Sequence, residues 1–519
     1  MTGLGSAASL SAARRARELE ELAARPDVDL LVIGGGITGA GVALDAASRG
    51  LRVVLAERRD LAFGTSRWSS KLVHGGLRYL AHGQVGVAYE SAVERDILLR
   101  HTAPHLVRAL PMVLPVLPGV TVGQYAVARA GLAAGDLLRI GARTPATTLP
   151  RARRIGPTET RHLAPGIRTT GLRGALLGWD GVLDDDAHLV VTVARTAAAY
   201  GARILTRVSA ESLCGHGGML RDELTGARFP VRAAAVINAT GVWAGQLVNG
   251  IALRPSRGSH LLLPAAALGD LRVGLTISVP GESSRFVLAV PHGDGRICVG
   301  PTDVPSDRSF PDVVEPTEAE IGWLLDTLNS ALQTPVRGDQ VIGSFAGLRP
   351  LLDSGDGRTA DLSRRHAVLV SDTGVVTVVG GKLTTYRRMA QDAVDTAVSR
   401  AGLDAGPCRT HRLPLVGAGG TDGAAPAGIV ARYGDEAAQV VAEAGGDPAL
   451  LQPIGPGIAT TMAELLFAVR HEGALDVDDL LDRRTRVGLV AAYRDQATRP
   501  AREALARSGV PVTAGSMPR

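Results

Sequence analysis

The stretch that most restricts how this chain folds runs from Asp29 to Glu57. Asp29–Ile33 (DLLVI) is an apolar run without polar alternation, the pattern of a strand buried on both faces. It leads into Gly34-Gly35-Gly36-Ile37-Thr38-Gly39, then a small-residue helix pattern, a second strand pattern over Leu51–Ala56, and Glu57. A glycine turn between a buried strand and a helix N-terminus is suited to a pyrophosphate. Gly34 permits the tight turn, Gly36 lets the backbone approach the phosphates, and Gly39 lets the helix pack on the strand. Glu57, 23 positions after Gly34, can accept hydrogen bonds from ribose hydroxyls, which disfavours a 2′-phosphate. The unit predicts an α/β dinucleotide-binding fold. It does not by itself separate a nicotinamide from a flavin nucleotide.

Three later segments bear on that choice. Arg58–Leu80 does not continue with βα units; it is a polar loop carrying Gly64, Thr65, Ser66, Ser69, Ser70, Lys71, His74, Arg78 and Tyr79. Ala233–Val248 reads as an apolar strand ending in Asn238-Ala239-Thr240-Gly241, small residues that let a backbone lie against a ligand. Gly374–Arg387 reads as a strand, the pair Gly380-Gly381, then Lys382, Leu383 and a helix. Of the 56 cationic side chains 54 are Arg, and the two lysines, Lys71 and Lys382, both fall in these segments. A compact ammonium fits where a planar guanidinium fork does not.

Other classes are disfavoured. A net charge of +5 over 519 residues and 3% aromatics give neither a phosphate-binding surface nor stacking platforms, so no nucleic-acid partner is expected. Cys214, Cys298 and Cys408 form no CxxC pair, which speaks against a zinc site or a disulfide framework; no metal and a reducing cytoplasm are the expectations. Ser11–Arg25 reads as a charged helix rather than a leader. The uncharged run Ala109–Ala128 is interrupted by Pro111, Pro115, Pro118 and Gly119, so it does not read as a spanning helix. With Arg129, Arg139 and Arg143 beyond it, it reads either as a segment at a membrane surface or as an internal loop.

The order of motifs resembles the FAD-dependent glycerol-3-phosphate dehydrogenases, quinone-linked respiratory flavoproteins of the wider D-amino-acid-oxidase-like group. The resemblance rests on IGGGITGAG (33–41), TSRWSSKLVHGGLRYL (65–80), WDGVLDDDAHLV (179–190), INATGVWA (237–244), RGSHLLLP (257–264), VGPTDV (299–304), FAGLRPL (345–351) and GGKLTTYR (380–387). HEGALDVDDLLDRRTRVGL (471–489) is similar to the family's small helical domain. The chain departs from the usual pattern at Pro301, where a threonine is common, and at His188, where an arginine is usual.

The resemblance implies FAD held non-covalently, oxidation of sn-glycerol 3-phosphate to dihydroxyacetone phosphate, and a quinone as electron acceptor in glycerol and glycerophospholipid catabolism. It implies cofactor contacts from Gly34, Gly36, Gly39, Glu57, Thr65, Ser66, Lys71, His74, Ala239, Gly241, Gly381, Lys382 and Leu383. It also implies that Arg78, Tyr79, Lys382 and, more weakly, Arg364 hold the substrate phosphate or hydroxyls, with Arg349 near the reacting carbon. From the chemistry alone, His260 is the leading candidate base, because a neutral imidazole can take the hydroxyl proton; the alternative is a histidine that caps a strand. A glycerol-3-phosphate oxidase using O2, an amine oxidase and a non-catalytic FAD-binding scaffold are the competing readings.

The expected architecture is α/β with α+β parts. It comprises a helical extension (1–27), an oxidoreductase region (28–400) and a C-terminal helical domain (401–519). Within the middle region a discontinuous Rossmann-like FAD-binding domain takes about 28–100, 175–250 and 340–395. An antiparallel-sheet substrate domain takes about 101–174 and 251–339, its strand runs (HLLLP, LTISVP, RFVLAVP, RICVG) lying at hairpin spacing. A cytoplasmic protein, peripheral on the inner face of the plasma membrane and homodimeric, completes the expectation.

Overall fold

A computed structural model describes residues 5–76, 83–282, 285–306, 311–353, 365–420, 423 and 425–511. Asp27–Ile33 forms the strand read from the sequence, and it sits at the centre of the first sheet. Its neighbours, both parallel, are Arg228–Asn238 and Val53–Glu57, with Arg203–Thr206 parallel beyond the latter. Val376–Val379 extends the other side, parallel to Arg228–Asn238, and Ala367–Val370 closes that edge antiparallel. The strands thus come from three separated stretches of chain. A right-handed crossover requires a helix between parallel neighbours, and Ile37–Ser48 supplies it, almost entirely buried against Asp186–Ala199 and Tyr386–Ala401.

The second sheet is built chiefly of antiparallel pairs. Ser256–Pro264 lies between Gly343–Arg349 and Arg296–Gly300, followed in order by Phe286–Pro291, Gly274–Ser278, Val107–Pro115 and Ala175–Leu183. The apolar faces of these strands and the helix Glu318–Asn329 enclose a second core around Leu261, Leu263, Ile277, Val299 and Leu324. Glu320 ties that helix to the sheet. It forms a capping box with Thr317, and its other carboxylate oxygen accepts from Ser259 Oγ and Thr302 Oγ1, both at 2.9 Å.

The Ala109–Ala128 run is not an internal loop. Its first part belongs to the strand Val107–Pro115 inside the sheet, with Pro111 and Pro115 paired opposite Trp179 and Ala175. Its last part opens the helix Val122–Gly141, whose N-terminus is a Thr121/Gln124 capping box. At the C-terminal end Ala427–Tyr433, Ala437–Ala442, Met462–His471 and Ala491–Arg507 make a helical module with its own core of leucine, valine and alanine. The fold is therefore α/β with α+β parts: a discontinuous nucleotide-binding layer, an antiparallel sheet and a C-terminal helical module.

Candidate active site

The two sheets meet around a cavity of about 1250 Å³, larger than the roughly 300–1,000 Å³ of ordinary small-ligand pockets. Its far end is the glycine turn. Gly34 has φ +107°, and a Cβ there would lie 2.7 Å from the Ala239 carbonyl oxygen, so no side chain fits between turn and strand end. Glu57 closes the turn from outside: its carboxylate accepts from the backbone N–H of Gly35 (2.6 Å) and of Arg59 (2.7 Å), while burial raises its pKa. Ser66 Oγ accepts from Ile37 N–H at 2.9 Å and so caps the first turn of the helix. Thr65 Oγ1 donates to the Leu348 carbonyl at 2.6 Å, linking this loop to the second sheet. Gly36, Thr65, Ser66, Ala239, Gly241, Gly381 and Leu383 all line the same cavity, an elongated cradle with little side chain along it.

At the junction of the sheets the lining becomes basic and aromatic. His260 lies on Ser256–Pro264 directly opposite Phe345, and their rings stack at 4.8 Å with 17° between planes. The imidazole is 2% exposed, and Nε2 is 2.9 Å from Ser70 Oγ. Burial, reinforced by the nearby Lys71 and Arg349 cations, holds His260 well below the usual histidine range, so the ring is neutral at physiological pH. Arg349 ends the neighbouring strand. It donates to the Thr302 carbonyl (3.1 Å) and to Ser256 Oγ (3.3 Å), and its guanidinium lies 3.6 Å from Asp303. Those contacts aim a fixed cation at the cavity. Lys382 enters from the Gly380-Gly381 turn, with Nζ bonded to Ser91 Oγ, and His74 lines the cavity beside the loop.

Thirteen of the residues singled out from sequence therefore line one space: Gly34, Gly36, Glu57, Thr65, Ser66, His74, Ala239, Gly241, His260, Arg349, Gly381, Lys382 and Leu383. Two do not. Gly39 packs its Cα against the Gly34 carbonyl and shapes the turn from behind. Lys71 is wholly buried beneath the loop, bonded to Asp186 (2.9 Å) and the Arg67 carbonyl (2.8 Å), so its ammonium does not reach the cavity. Arg78, Tyr79 and Arg364 lie outside the described residues. Sequence reasoning gave no role to Ser70, Phe345 or Asp186, although all three stand inside quoted motifs; their partners lie 190, 85 and 115 positions away.

Residues 29–387 match the family described as FAD dependent oxidoreductase, and residues 408–508 match the C-terminal domain of alpha-glycerophosphate oxidase. The chain belongs to the FAD-dependent oxidoreductases. It is 53% identical over 511 residues to glycerol-3-phosphate dehydrogenase 1 of Mycobacterium tuberculosis, covering 96% of this chain and 99% of that one. Glycerol-3-phosphate dehydrogenase 2 of the same organism is 37% identical over 94% of this chain and 86% of its own length. The solved structure of glycerol-3-phosphate dehydrogenase from Bacillus halodurans, complexed with FAD, superposes with a TM-score of 0.74 at 25% identity, covering 96% of this chain and 94% of that chain. The cofactor of this oxidoreductase is FAD, and the cradle suits it: a left-handed glycine without room for a Cβ, a carboxylate at the end of the second strand, and a double glycine in the cavity wall.

Proposed function

We propose that this FAD-dependent glycerol-3-phosphate dehydrogenase oxidises C2 of sn-glycerol 3-phosphate, with His260 as the proton acceptor, and that its electrons go to a quinone. FAD, when bound along the glycine cradle, supplies the hydride acceptor. Every other requirement falls on side chains of the chain. His260 Nε2 takes the C2 hydroxyl proton, a role suited to a ring kept neutral by burial. Ser70 Oγ, 2.9 Å from that nitrogen and also on the cavity wall, relays the proton: its hydroxyl gives a proton to Nε2 as it takes the one from C2–OH. Arg349 faces the negative charge that develops on the C2 oxygen as its proton departs. Lys382 offers a second cation to the phosphate, together with Arg78, Tyr79 and Arg364. The carbonyl product then leaves, with the proton held on His260.

The observation that carries this reading is the convergence of a neutral buried imidazole and two fixed cations on a cavity that begins at a nucleotide-type glycine turn. An amine substrate would not call for paired cations, and a scaffold would not call for the base. The experiment is anaerobic reduction. Addition of sn-glycerol 3-phosphate should bleach the flavin absorbance near-stoichiometrically, and a water-soluble quinone should restore it faster than air does. No bleaching would sink the substrate assignment; faster recovery in air would make the enzyme an oxidase.

The acceptor side is read from the helix Val122–Gly141. Val127, Ala128 and Leu132 line the apolar end of the cavity with Met112, Leu114, Leu176 and Leu288. Its outer face exposes Val122, Leu137 and Ile140, and Tyr89 of the preceding helix donates to the Gly141 carbonyl at its end. Among the described residues no helix is long and apolar enough to cross a membrane. An apolar helix face flanked by arginines and backed by the cavity suits peripheral contact with the inner face of the membrane, from which a quinone would approach.

A further inference from the structure

We propose that Lys71 is a positioning residue for His260, acting through the Ser69–Lys71 turn and through Phe345 rather than by contact with cofactor or substrate. The proposal rests on the reading of His260 as proton acceptor.

Asp186 is the first residue of the buried helix Asp186–Ala199. Its Oδ2 atom accepts three hydrogen bonds from one turn: Ser69 N–H (2.9 Å), Ser69 Oγ (2.7 Å) and Lys71 Nζ (2.9 Å). Ser69 Oγ also accepts from Lys71 N–H at 3.0 Å, and the Lys71 carbonyl accepts from Leu183 N–H at 2.8 Å. Lys71 adopts the left-handed conformation, φ +56°, which a lysine tolerates only when its surroundings impose it. The residue between Ser69 and Lys71 is Ser70, whose Oγ meets His260 Nε2. A fully buried ion pair thus folds the turn that holds the imidazole.

A second connection runs through Phe345. Lys71 Nζ lies 4.5 Å from the centre of that ring, which stacks on His260 and also against Trp68. A cation so close in a dry interior opposes a second cation on the imidazole. The charged or titratable groups around His260 are Lys71 from the turn, Arg349 from the adjacent strand and His292 from the neighbouring hairpin; Asp186, Arg486 and Cys298 act on Lys71 itself. Burial pulls the Lys71 ammonium below the ordinary lysine range, and Asp186 pushes it back up. The slot is also small. Asp186, the Arg67 carbonyl and the Phe345 ring surround one nitrogen, which a five-donor guanidinium would overfill. In a chain with 54 arginines, that accounts for a lysine here.

The test compares the pH dependence of kcat/KM in the holoenzyme for the wild type, Lys71→Met, the double variant Lys71→Met with Asp186→Asn, and His260→Gln, with a water-soluble dye as acceptor. Lys71→Met should retain flavin, keep KM within about twofold, and move the acid limb upward by about one pH unit, because a repulsive charge is gone. The double variant removes both members of the pair, so no carboxylate is left buried alone; it should move the limb in the same direction by a smaller amount, because the carboxylate had opposed the lysine's charge, and it serves where the single variant does not fold. An acid limb unmoved in whichever variant folds, even with lower activity, would make Lys71 structural only and overturn the proposal. His260→Gln separates the two readings. If it keeps wild-type kcat/KM, the assignment of His260 has failed; if it is inactive while the limb is unmoved, only the role of Lys71 has.

Discussion

His260 and Gly258 stand two positions apart on one strand, and each makes a separable prediction. The His260 ring takes up a proton far less readily in the folded chain than in the unfolded one, where it titrates near 6.5. Below pH 6.5 the unfolded state therefore binds the extra proton, and stability is lost as pH falls through that window, by up to about 1.4 kcal/mol per pH unit. His260→Gln should flatten that slope by up to this amount between pH 6.5 and 5, as measured by urea midpoints in the holoenzyme; an unchanged slope would mean that the imidazole is charged in the fold. At Gly258 an added Cβ would run into the Arg349 guanidinium, so Gly258→Ala should displace that side chain. The expected result is a fall in kcat/KM of about a hundredfold, with FAD retained and Tm within a few degrees. At this scale the sequence was informative where a residue type is rare or locally constrained. The glycines of the cradle, His260 and Lys382 could be read from their neighbours in the chain. Lys71 could be noticed but not understood, because its partner Asp186 is 115 positions away and its contact with the site passes through a phenylalanine.

The helix Val122–Gly141 raises a different question, because two of its faces are apolar. One lines the cavity; the other carries Leu137 (70% exposed) and Ile140 (55% exposed) toward solvent. Lone exposed aliphatics are ordinary, but Leu137 and Ile140 lie one turn apart near Tyr89, which packs at Gly141, and form a patch that calls for a partner. Neither Leu137 nor Ile140 lines the cavity. Their joint replacement by glutamate should abolish co-sedimentation with anionic liposomes while turnover with a soluble dye stays within about twofold; undiminished liposome binding would remove this helix from the membrane contact. This is also where the sequence misled. The uncharged run 109–128 reads as a single segment, whereas its first third belongs to a strand, its last third to this helix, and the residues between to the connection. Hydropathy carries no record of that change, and prolines at 111 and 115, ordinarily a mark against a central strand, are accepted here within a paired one. The strands at 256–300 were legible because hairpin spacing is local; their pairing with Gly343–Arg349 was not, since it joins residues far apart.

Across the whole molecule, the C-terminal helical module is held to the nucleotide-binding layer by buried charge. Asp60, fully buried just after the strand Val53–Glu57, accepts from Arg483 Nε (2.6 Å) and from both terminal nitrogens of Arg484 (2.8 and 2.9 Å). Arg195 makes a two-bond pair with Glu436 at 2.6 and 2.7 Å, and Arg207 reaches Asp476 and Asp479. None of these pairs could be found in the sequence: among 54 arginines nothing local marks the few that are buried, and each partner lies hundreds of positions away. Their consequence is mechanical. Asp60 opens the loop that supplies Thr65, Ser66 and Ser70, so the module braces the same segment that caps the cofactor helix and holds His260. Asp60→Asn leaves two buried guanidinium groups short of a carboxylate, a loss of about 3–5 kcal/mol. If the module and the nucleotide-binding layer are one cooperative unit, the variant should melt in a single transition at lower temperature, with flavin released at the same midpoint as the helical signal is lost. Two separated transitions, with flavin retained through the first, would show instead that the module is an appendage whose charges only fasten it in place.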